Sequence, residues 1–280
     1  MLTKFKSTII ASDNIKETKR EFINLIGNDF SNDLFHQDNH INFSSIELLN
    51  GSIDIFRKNL KLASSLNLIN GEFNEQRGII AISFVSDDID EDYKRFQERG
   101  LDVSEIKTSN LIDREGRETE LVFFSIIKRD SFDLNILIFK DNDECINKNK
   151  QYNESDISKF NQVVVFSPKV KQIKGLLADK LGIRLALDKV FDFGEGEVRM
   201  LFFRIGGVTI EVVENKKTSS TSFGGIGWHS DNLRSCHERL LKSNFKLSEV
   251  RKGRKPDTLV STIKNAPVDI PTIIIGLDVQ

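Results

Sequence analysis

The stretch Ser230-Asp231-Asn232-Leu233 recurs in closely similar form at three other places in the chain. Each copy follows a strand-like run and consists of a serine, two further residues and an aliphatic residue, after which an amphipathic helical pattern begins. Ser and Asp favour helix starts because their side chains accept hydrogen bonds from free first-turn N–H groups. The chain therefore predicts four copies of one structural unit. The other three copies are Ser12-Asp13-Asn14-Ile15, Ser86-Asp87-Asp88-Ile89 and Ser167-Pro168-Lys169-Val170.

The copies also agree at the ends of their helices and in the residues beyond them. The helical patterns stop at Gly27, Gly100, Gly182 and Asn244, and Gly and Asn are the residues that best accept the left-handed conformation closing a helix. Residues 101–106 (LDVSEI) match residues 245–250 (FKLSEV) without a gap, at an offset of 144 residues. At a second constant offset, 155 residues, Phe5, Ser12, Ile15 and Gly27 match Phe160, Ser167, Val170 and Gly182.

Three strand-like runs follow each predicted helix, so each unit is βαβββ. In the third unit they span residues 184–193, 197–205 and 208–213, and in the fourth 245–250, 258–263 and 271–275. Residues 141–158 are polar and patternless, which is typical of an interdomain linker. We therefore predict an α+β fold of four βαβββ units forming two domains with curved mixed sheets, at residues 1–141 and 158–280, joined by a linker at residues 142–157.

Composition excludes several classes of protein. The 280 residues carry 40 basic and 42 acidic side chains, and no basic stripe suited to nucleic acid is present. No apolar run has the length of a membrane-spanning helix, and no secretory signal begins the chain, so we expect a cytoplasmic protein. Cys145 and Cys236 are too few for a disulfide framework or a structural zinc site. The expected partner is a small molecule, and a homodimer is left open.

The tandem βαβββ arrangement resembles the vicinal oxygen chelate superfamily, which includes glyoxalases, bleomycin-resistance proteins and extradiol dioxygenases. The clearest similarity lies in residues 160–165 (FNQVVV), 200–204 (MLFFR) and 206–213 (GGVTIEVV), and in residues 225–231 (GIGWHSD), 248–251 (SEVR) and 253–256 (GRKP). Residues 36–56 and 78–105 resemble a glyoxalase-like domain more loosely. The resemblance implies two glyoxalase-like domains in which paired units curve around a cleft, with helices on the convex side.

Metal-dependent members of the superfamily have a His, Gln or Glu on the first strand of each unit and a Glu on the last. The resemblance places Ser7, Ala81, Gln162 and Gly225 at the four first-strand positions. Of these, only Gln162 could ligate a metal. Glu211 matches the acidic last-strand position of the third unit, and Asp54 matches that of the first only with a two-residue slip. The metal pattern is thus incomplete, and no cofactor is required by the sequence.

His229 could complete the set. Alternate residues of a strand share a face, so Gly225, Gly227 and His229 are expected to line the cleft, while Ile226 and Trp228 point under the helix. Three alternatives stay open for Gln162, Glu211 and His229: a divalent-metal site or acid/base group, a metal-free binding cleft, and a structural role. In the last, His229 bonds to the following turn and Glu211 is the solvent-side residue of an edge-like strand.

A basic loop of the fourth unit offers a site for an anion, because Arg guanidinium groups match carboxylates and phosphates. It contains Arg251, Lys252, Arg254 and Lys255, and a solvated loop is the alternative. Other candidates are weaker. Arg114 and Arg117 occupy a similar loop, His36 and His40 precede a strand pattern that argues against a helical metal pair, and His237 is expected at a helix boundary.

The leading functional hypothesis is a lyase or isomerase that acts on a small, anionic molecule next to a carbonyl. In this hypothesis Glu211 or His229 is the base, Gln162 orients the substrate, and Arg254 and Arg251 attract its anionic part. One alternative is a non-catalytic protein that sequesters an organic ligand, as bleomycin-resistance proteins do. Another is an interaction module whose cleft is filled by its own side chains.

Overall fold

The computed structural model describes residues 1–36, 42–57, 78–127, 133–141, 150–194 and 196–277. His40 and Cys145 lie outside these ranges. The described residues form two eight-stranded sheets, one from each half of the chain, in which parallel and antiparallel strand pairs are mixed. An α+β fold with mixed sheets is therefore confirmed. Among the described helices, none is both long and apolar enough to cross a membrane.

The N-terminal sheet closes into a barrel. Its elements are β1 (Leu2–Ser12), α1 (Ile15–Ile26), β2 (Ser31–His36), β3 (Asn42–Leu48), β4 (Gly51–Arg57), β5 (Gly78–Ser86), α2 (Ile89–Glu98), β6 (Lys107–Asp113), β7 (Glu118–Ile126) and β8 (Ile136–Lys140). The strand order is β1-β4-β3-β2-β6-β7-β8-β5, and β1 pairs with β5 to complete the ring. Closure depends on the pairing of β2 with β6, whereas the resemblance implies a sheet that curves around a cleft.

Apolar side chains fill the interior of this barrel. Ile10, Ile53 and Ile82 belong to the core on the helix side of the sheet. Their neighbours along the strands point the other way, into the barrel. These inward residues form a separate buried cluster of Ile9, Ala11, Ile80, Ala81, Phe123, Leu137 and Phe139. The interior of the N-terminal barrel is therefore occupied by its own side chains.

The C-terminal sheet stays open. Its elements are β9 (Lys159–Ser167), α3 (Val170–Lys174), β10 (Arg184–Asp192), β11 (Glu197–Ile205), β12 (Val208–Glu214), β13 (Ser222–His229), α4 (Leu233–Lys242), β14 (Arg251–Lys252), β15 (Thr258–Ile263) and β16 (Thr272–Leu277). A π-helical segment, Gly175–Lys180, continues α3. The strand order is β10-β11-β12-β9-β13-β16-β15-β14, so β10 and β14 are its two edges. In the described residues these edges do not pair, unlike β2 and β6.

The predicted strand at residues 245–250 is wrong. The structure has only an isolated bridge at Leu247 and a two-residue strand, β14, that begins at Arg251. The Ser248 hydroxyl accepts the hydrogen bond of the Thr262 N–H at 2.9 Å and replaces the main-chain partner that a continuous ladder would supply. Ser104 matches Ser248 at the offset of 144 residues, and its hydroxyl likewise accepts a hydrogen bond from the Ser125 N–H at 2.9 Å. The two repeats thus share this interruption.

The helices end at the predicted residues and begin at the predicted aliphatic residues, but in three of them the capping side chain is two residues after the serine of the motif. The four stop residues have left-handed backbone conformations, with φ of 93° at Gly27, 71° at Gly100, 74° at Gly182 and 64° at Asn244. The side chains of Asn14, Asp88 and Asn232 accept the first-turn N–H bonds. Ser12 and its three equivalents are buried two residues earlier, where Ser12 and Ser167 bind the N–H groups of Asn14 and Lys169.

One continuous core joins the two halves of the chain. Trp228 is fully buried, as predicted, with its ring centroid 6.4 Å from that of Phe22 and 5.0 Å from that of Phe160. Residues 150–157, part of the predicted linker, pack against both halves, and Ile157 is fully buried in the core. The domain boundaries stay predictions, but the halves share a core that a loosely linked pair of domains would lack.

Candidate functional site

Gln162 and Glu211 meet on the open face of the C-terminal sheet. β9 and β12 are neighbours in its centre, where Glu211 lies opposite Val164 and Gln162 opposite Thr209. The side chains that alternate with them, such as Val163 and Ile210, are fully buried in the helix-side core. Gln162 and Glu211 therefore face the concave side. The Gln162 Nε2 atom donates to Glu211 Oε2 at 2.5 Å.

Gly227 in β13 makes room for Gln162, and Gly225 on the same strand has a different role. A Cβ atom at Gly227 would lie 2.6 Å from the Gln162 Cγ atom, so the Gln162 side chain occupies the space that a side chain at 227 would fill. Gly225 has φ +151°, and a Cβ there would lie 2.2 Å from the Pro271 carbonyl oxygen. The sequence places Gly225 at a lost ligand position, and the structure gives it a backbone role.

Burial and charge act on Glu211 in opposite directions. Burial raises the pKa of Glu211 above its ordinary value, because water is lost around the charged form, and the positive charge of Arg254 partly opposes this. The net result is a raised pKa. A carboxyl group in this position is better matched to proton transfer near neutral pH than an exposed one.

Arg254 bridges the mouth of the open sheet. It follows β14, and its guanidinium carbon lies 4.1 Å from the ring centroid of Phe193, which follows β10 at the opposite edge. A cation over an aromatic face is an attractive pair. The sequence places Arg254 in a basic loop but gives no sign of Phe193 as its partner. The two edge strands are therefore linked by side chains where their backbones are not paired.

His229 has a different partner. It lies at the end of β13 opposite Lys159, and its Nε2 atom is 3.0 Å from Asp231 Oδ1 in the following turn. This is the contact that the structural alternative predicts for His229. Within the described residues, no hydrogen bond joins His229 to Gln162 or Glu211. That alternative is wrong for Glu211, since β12 lies inside the sheet between β11 and β9.

The other candidates lie apart from this pair. Arg251 and Lys252 form the edge strand β14, where both are exposed. Arg114 and Arg117 form ion pairs with Asp33 and Asp113 in the N-terminal half. The His237 Nε2 atom lies 3.0 Å from the Ser248 carbonyl oxygen. His36 is the last residue of β2, and His40 lies outside the described residues.

The donors at this site do not fit a divalent metal. Transition metals need several N, O or S ligands. Here Gln162 turns its amide nitrogen, which carries no free lone pair, toward Glu211. Arg254 adds a positive charge to the same surroundings. Across the described residues, no three His, Cys, Asp or Glu side chains form a group that could hold a metal ion.

The N-terminal barrel contains a counterpart of Glu211 that the sequence left ambiguous. Asp54 lies opposite Ile9, as Glu211 lies opposite Val164. Ile9 and Val164 match at the offset of 155 residues. The strand pairing therefore makes Asp54 equivalent to Glu211, although the sequence alignment of the two residues needs a two-residue slip. Asp54 is buried and accepts hydrogen bonds from Ser45 at 2.7 Å and Ser52 at 3.1 Å. This acid is enclosed in a packed barrel.

Replacing Arg254 with glutamine is expected to raise the pKa of Glu211 further. The guanidinium charge now favours the carboxylate, and its removal leaves the effect of burial unopposed. The measurement is a titration of the Glu211 side-chain carboxyl signal by carbon-13 NMR in the wild type and the variant.

The matched control is Arg251→Gln, a basic residue of the neighbouring edge strand. It should leave the Glu211 titration unchanged. An unaltered or lowered pKa in Arg254→Gln would contradict the assignment of Arg254 as the charge that acts on Glu211.

Several solved structures share this architecture. A Mn(II)-bound glyoxalase from Novosphingobium aromaticivorans aligns with 100% of this chain and 83% of its own, with a TM-score of 0.67 and 12% identity. A mutant of 4-hydroxymandelate synthase from Streptomyces coelicolor aligns with 99% and 93%, with a TM-score of 0.66 and 11% identity. The catechol dioxygenase BphC aligns with 100% and 89%, with a TM-score of 0.65 and 9% identity.

No protein-family model and no curated protein match the sequence. At these low identities the likeness concerns the fold, and it extends over both halves of the chain. The resemblance predicted from the four repeats is confirmed at that level: the chain has the fold of the vicinal oxygen chelate superfamily.

Proposed function

We propose that the C-terminal half binds a small anionic carbonyl compound and moves a proton at the carbon next to the carbonyl, as a lyase or isomerase does. The proposal treats this half as two βαβββ units around one cleft. The observation that carries it is the half-buried carboxyl group of Glu211, which Gln162 holds on the open face of the sheet and whose pKa is raised.

Each residue has a separate part in the proposed step. The Glu211 carboxylate takes the proton, and the electron pair of the broken C–H bond moves to the carbonyl oxygen to give an enolate. Glu211 then returns a proton to the same or a neighbouring atom. Gln162 fixes the orientation of the carboxylate, and Arg254 attracts the anionic group of the substrate. His229 is the second candidate base, and Arg251 a second anion-binding group.

Proton exchange with heavy water tests this step without knowledge of the natural substrate. The full chain is incubated in D₂O with pyruvate, 2-oxobutyrate or phenylpyruvate, and proton NMR follows the loss of the signal next to the carbonyl. We expect exchange above the buffer rate for at least one acid. In Glu211→Gln the excess should fall by about 10²–10⁴-fold, the usual contribution of a general base.

Glu214→Gln is the matched control, because Glu214 lies on the same strand and is paired with Lys216 at 3.6 Å. It should exchange at the wild-type rate. Equal loss of exchange in both variants would assign the effect to β12 as a whole. No exchange with any of the three acids, or full exchange in Glu211→Gln, would overturn Glu211 as the base.

The alternative is a protein that sequesters an apolar organic ligand without reaction. It is favoured by the apolar residues around Glu211 on the concave face, since Phe202 and Val164 lie directly opposite it on the neighbouring strands. In the same experiment this alternative predicts ligand binding, detected as a raised melting temperature, with exchange at the buffer rate.

A further inference from the structure

A row of aromatic side chains leads away from Glu211 on the open face of the C-terminal sheet. Phe202 lies directly opposite Glu211 on the neighbouring strand, so the two side chains share a face. The residues on either side of Phe202 along β11, Leu201 and Phe203, are fully buried in the helix-side core. The Phe202 ring therefore faces the cleft, and the row begins beside the proposed base.

The row continues along the edge strand β10. Phe191 lies opposite Val198, which shares a face of β11 with Phe202 and is about 13 Å from it along the strand. The rings of Phe202 and Phe191 lean toward each other and meet edge to face, with centroids 6.2 Å apart and planes at 75°. The ring centroid of Phe193 lies a further 6.2 Å from that of Phe191. We call these three rings the aromatic row.

Arg254 lies at the far end of the aromatic row from Glu211. Its guanidinium carbon is 4.1 Å from the ring centroid of Phe193. In the described part of the chain, Phe202 pairs with Phe191 and not with Phe193. The charge of Arg254 opposes the raised pKa of Glu211, but no ion pair joins these two among the described residues. The apolar surface of the row therefore separates the positive charge from the carboxyl group.

The charges on this face favour an anionic ligand. In the described strands of the C-terminal sheet, Glu211 is the one acidic side chain on the concave side. The other acidic side chains of these strands alternate with concave residues and so lie on the opposite face: Asp188, Asp192, Glu197 and Glu214. The Arg254 side chain forms neither a hydrogen bond nor an ion pair with any described residue. Its guanidinium group can therefore donate to an anion.

We propose that the substrate of this cleft carries its anionic group at a distance from the reacting carbonyl, with a flat apolar group between the two. The proposal rests on the proton transfer proposed for Glu211. The carbonyl and its neighbouring carbon lie at Glu211, the flat group lies on the aromatic row, and the anion meets Arg254. Aromatic rings favour a flat apolar group by burial and ring–ring contact. A carboxylate bonded directly to the carbonyl carbon would leave the row uncovered.

The test uses 4-acetylbenzoate, in which an acetyl group, a ring and a carboxylate follow one another, and its uncharged analogue 4-acetylbenzamide. Calorimetry and ligand-observed NMR measure the dissociation constants with the full chain. We expect the carboxylate to bind at least about tenfold more tightly than the amide, the ratio for one charge-assisted hydrogen bond. In Arg254→Gln the two compounds should bind equally. Phenylpyruvate has a ring, but its carboxylate adjoins the carbonyl, so it should bind less tightly than 4-acetylbenzoate.

Proton exchange in D₂O is followed in the same samples. Glu211 takes a proton from the acetyl group of 4-acetylbenzoate to give an enolate and returns a deuteron, so the acetyl signal should decay faster than in buffer. Glu211→Gln should lose this exchange and keep the preference for the carboxylate over the amide. The two readouts therefore report separately on the base and on the position of the anion.

Lys252→Gln is the matched control for Arg254→Gln. Lys252 is an exposed basic residue of β14, but it lies opposite Leu259, which is buried in the helix-side core, so it faces away from the cleft. This variant should keep the tenfold preference for the carboxylate. Phe191→Leu interrupts the aromatic row and should weaken the binding of both compounds by about two- to tenfold, the usual contribution of a ring–ring contact.

Several results would overturn the proposal: equal binding of carboxylate and amide to the wild type, an unchanged preference in Arg254→Gln, loss of the preference in Lys252→Gln as well, or tighter binding of phenylpyruvate than of 4-acetylbenzoate. Preferential binding of 4-acetylbenzoate through Arg254 without exchange of its acetyl protons would support the position of the anion and overturn the proton transfer at Glu211. Exchange of 2-oxo acids through Glu211 without any preference for 4-acetylbenzoate over its amide would overturn this inference alone.

Discussion

Replacing Trp228 with alanine is expected to lower the free energy of unfolding by about 3–5 kcal/mol, the range measured for large aromatic residues in protein cores. Trp228 is fully buried and contacts Phe22 of the N-terminal half and Phe160 of the C-terminal half. Its loss would therefore open a cavity where the two halves share one core. Because Trp228 is the single tryptophan, urea unfolding should be followed by circular dichroism and not by fluorescence.

The variant Trp228→Phe separates the effect of lost side-chain volume from the effect of the unpaired Nε1 donor. Among the described residues, the buried Trp228 Nε1 atom has no hydrogen-bond partner, and an unsatisfied buried donor costs about 1–3 kcal/mol. Phenylalanine removes that donor and keeps most of the ring, so this variant should lose less than half of what alanine loses. Equal destabilisation by the two substitutions would contradict this explanation.

Replacing Arg239 with alanine is expected to cost about 2–4 kcal/mol, from lost charge-assisted hydrogen bonds. Arg239 on α4 donates to the carbonyl oxygens of Asn24, Leu25 and Ile26 at the end of α1, at 2.9, 2.8 and 3.2 Å. It also donates to the Ser155 carbonyl oxygen at 3.0 Å. Without it, carbonyl groups at a buried helix end lose their donors. Urea unfolding measures the change.

Lys242→Ala is the control, because Lys242 is an exposed basic residue in the last turn of the same helix. It should change stability by less than about 0.5 kcal/mol, as is usual for surface positions. Arg239→Lys keeps the charge but not the planar set of donors, so its loss should lie between those of the other two variants. A loss as small as that of Lys242→Ala would exclude Arg239 as a link between the halves.

The sequence predicted local features well. Helix ends at Gly27, Gly100, Gly182 and Asn244 depend on one residue's backbone preference, and the structure has left-handed conformations at all four. The offset of 155 residues between the first and third repeats also holds at positions outside the motifs from which it was found. It equates Ile9 with Val164, and the strand opposite Ile9 then identifies Asp54 as the counterpart of Glu211.

The features that the sequence did not predict depend on residues far apart in the chain. The closure of the barrel through β2 and β6, and the contact between Phe193 and Arg254, each join separate repeats and leave no local pattern. The strand before β14 was overestimated because alternation alone does not reveal that the Ser248 side chain takes a main-chain partner. The His229 contact is local by comparison, because Asp231 is two residues away, and it is the contact that the structural alternative predicts.

The open C-terminal sheet also determines how the molecule resists aggregation. β10 is a nine-residue strand at a free edge, and its Leu187 and Val190 are 44% and 49% exposed. Long apolar edges are templates for pairing with other chains, and charged side chains on the edge are a known protection. Asp188 and Lys189 lie between these two apolar residues, and Asp192 ends the strand. These charged side chains disfavour pairing of β10 with a strand of another molecule, so the sheet can stay open on its concave side without promoting aggregation.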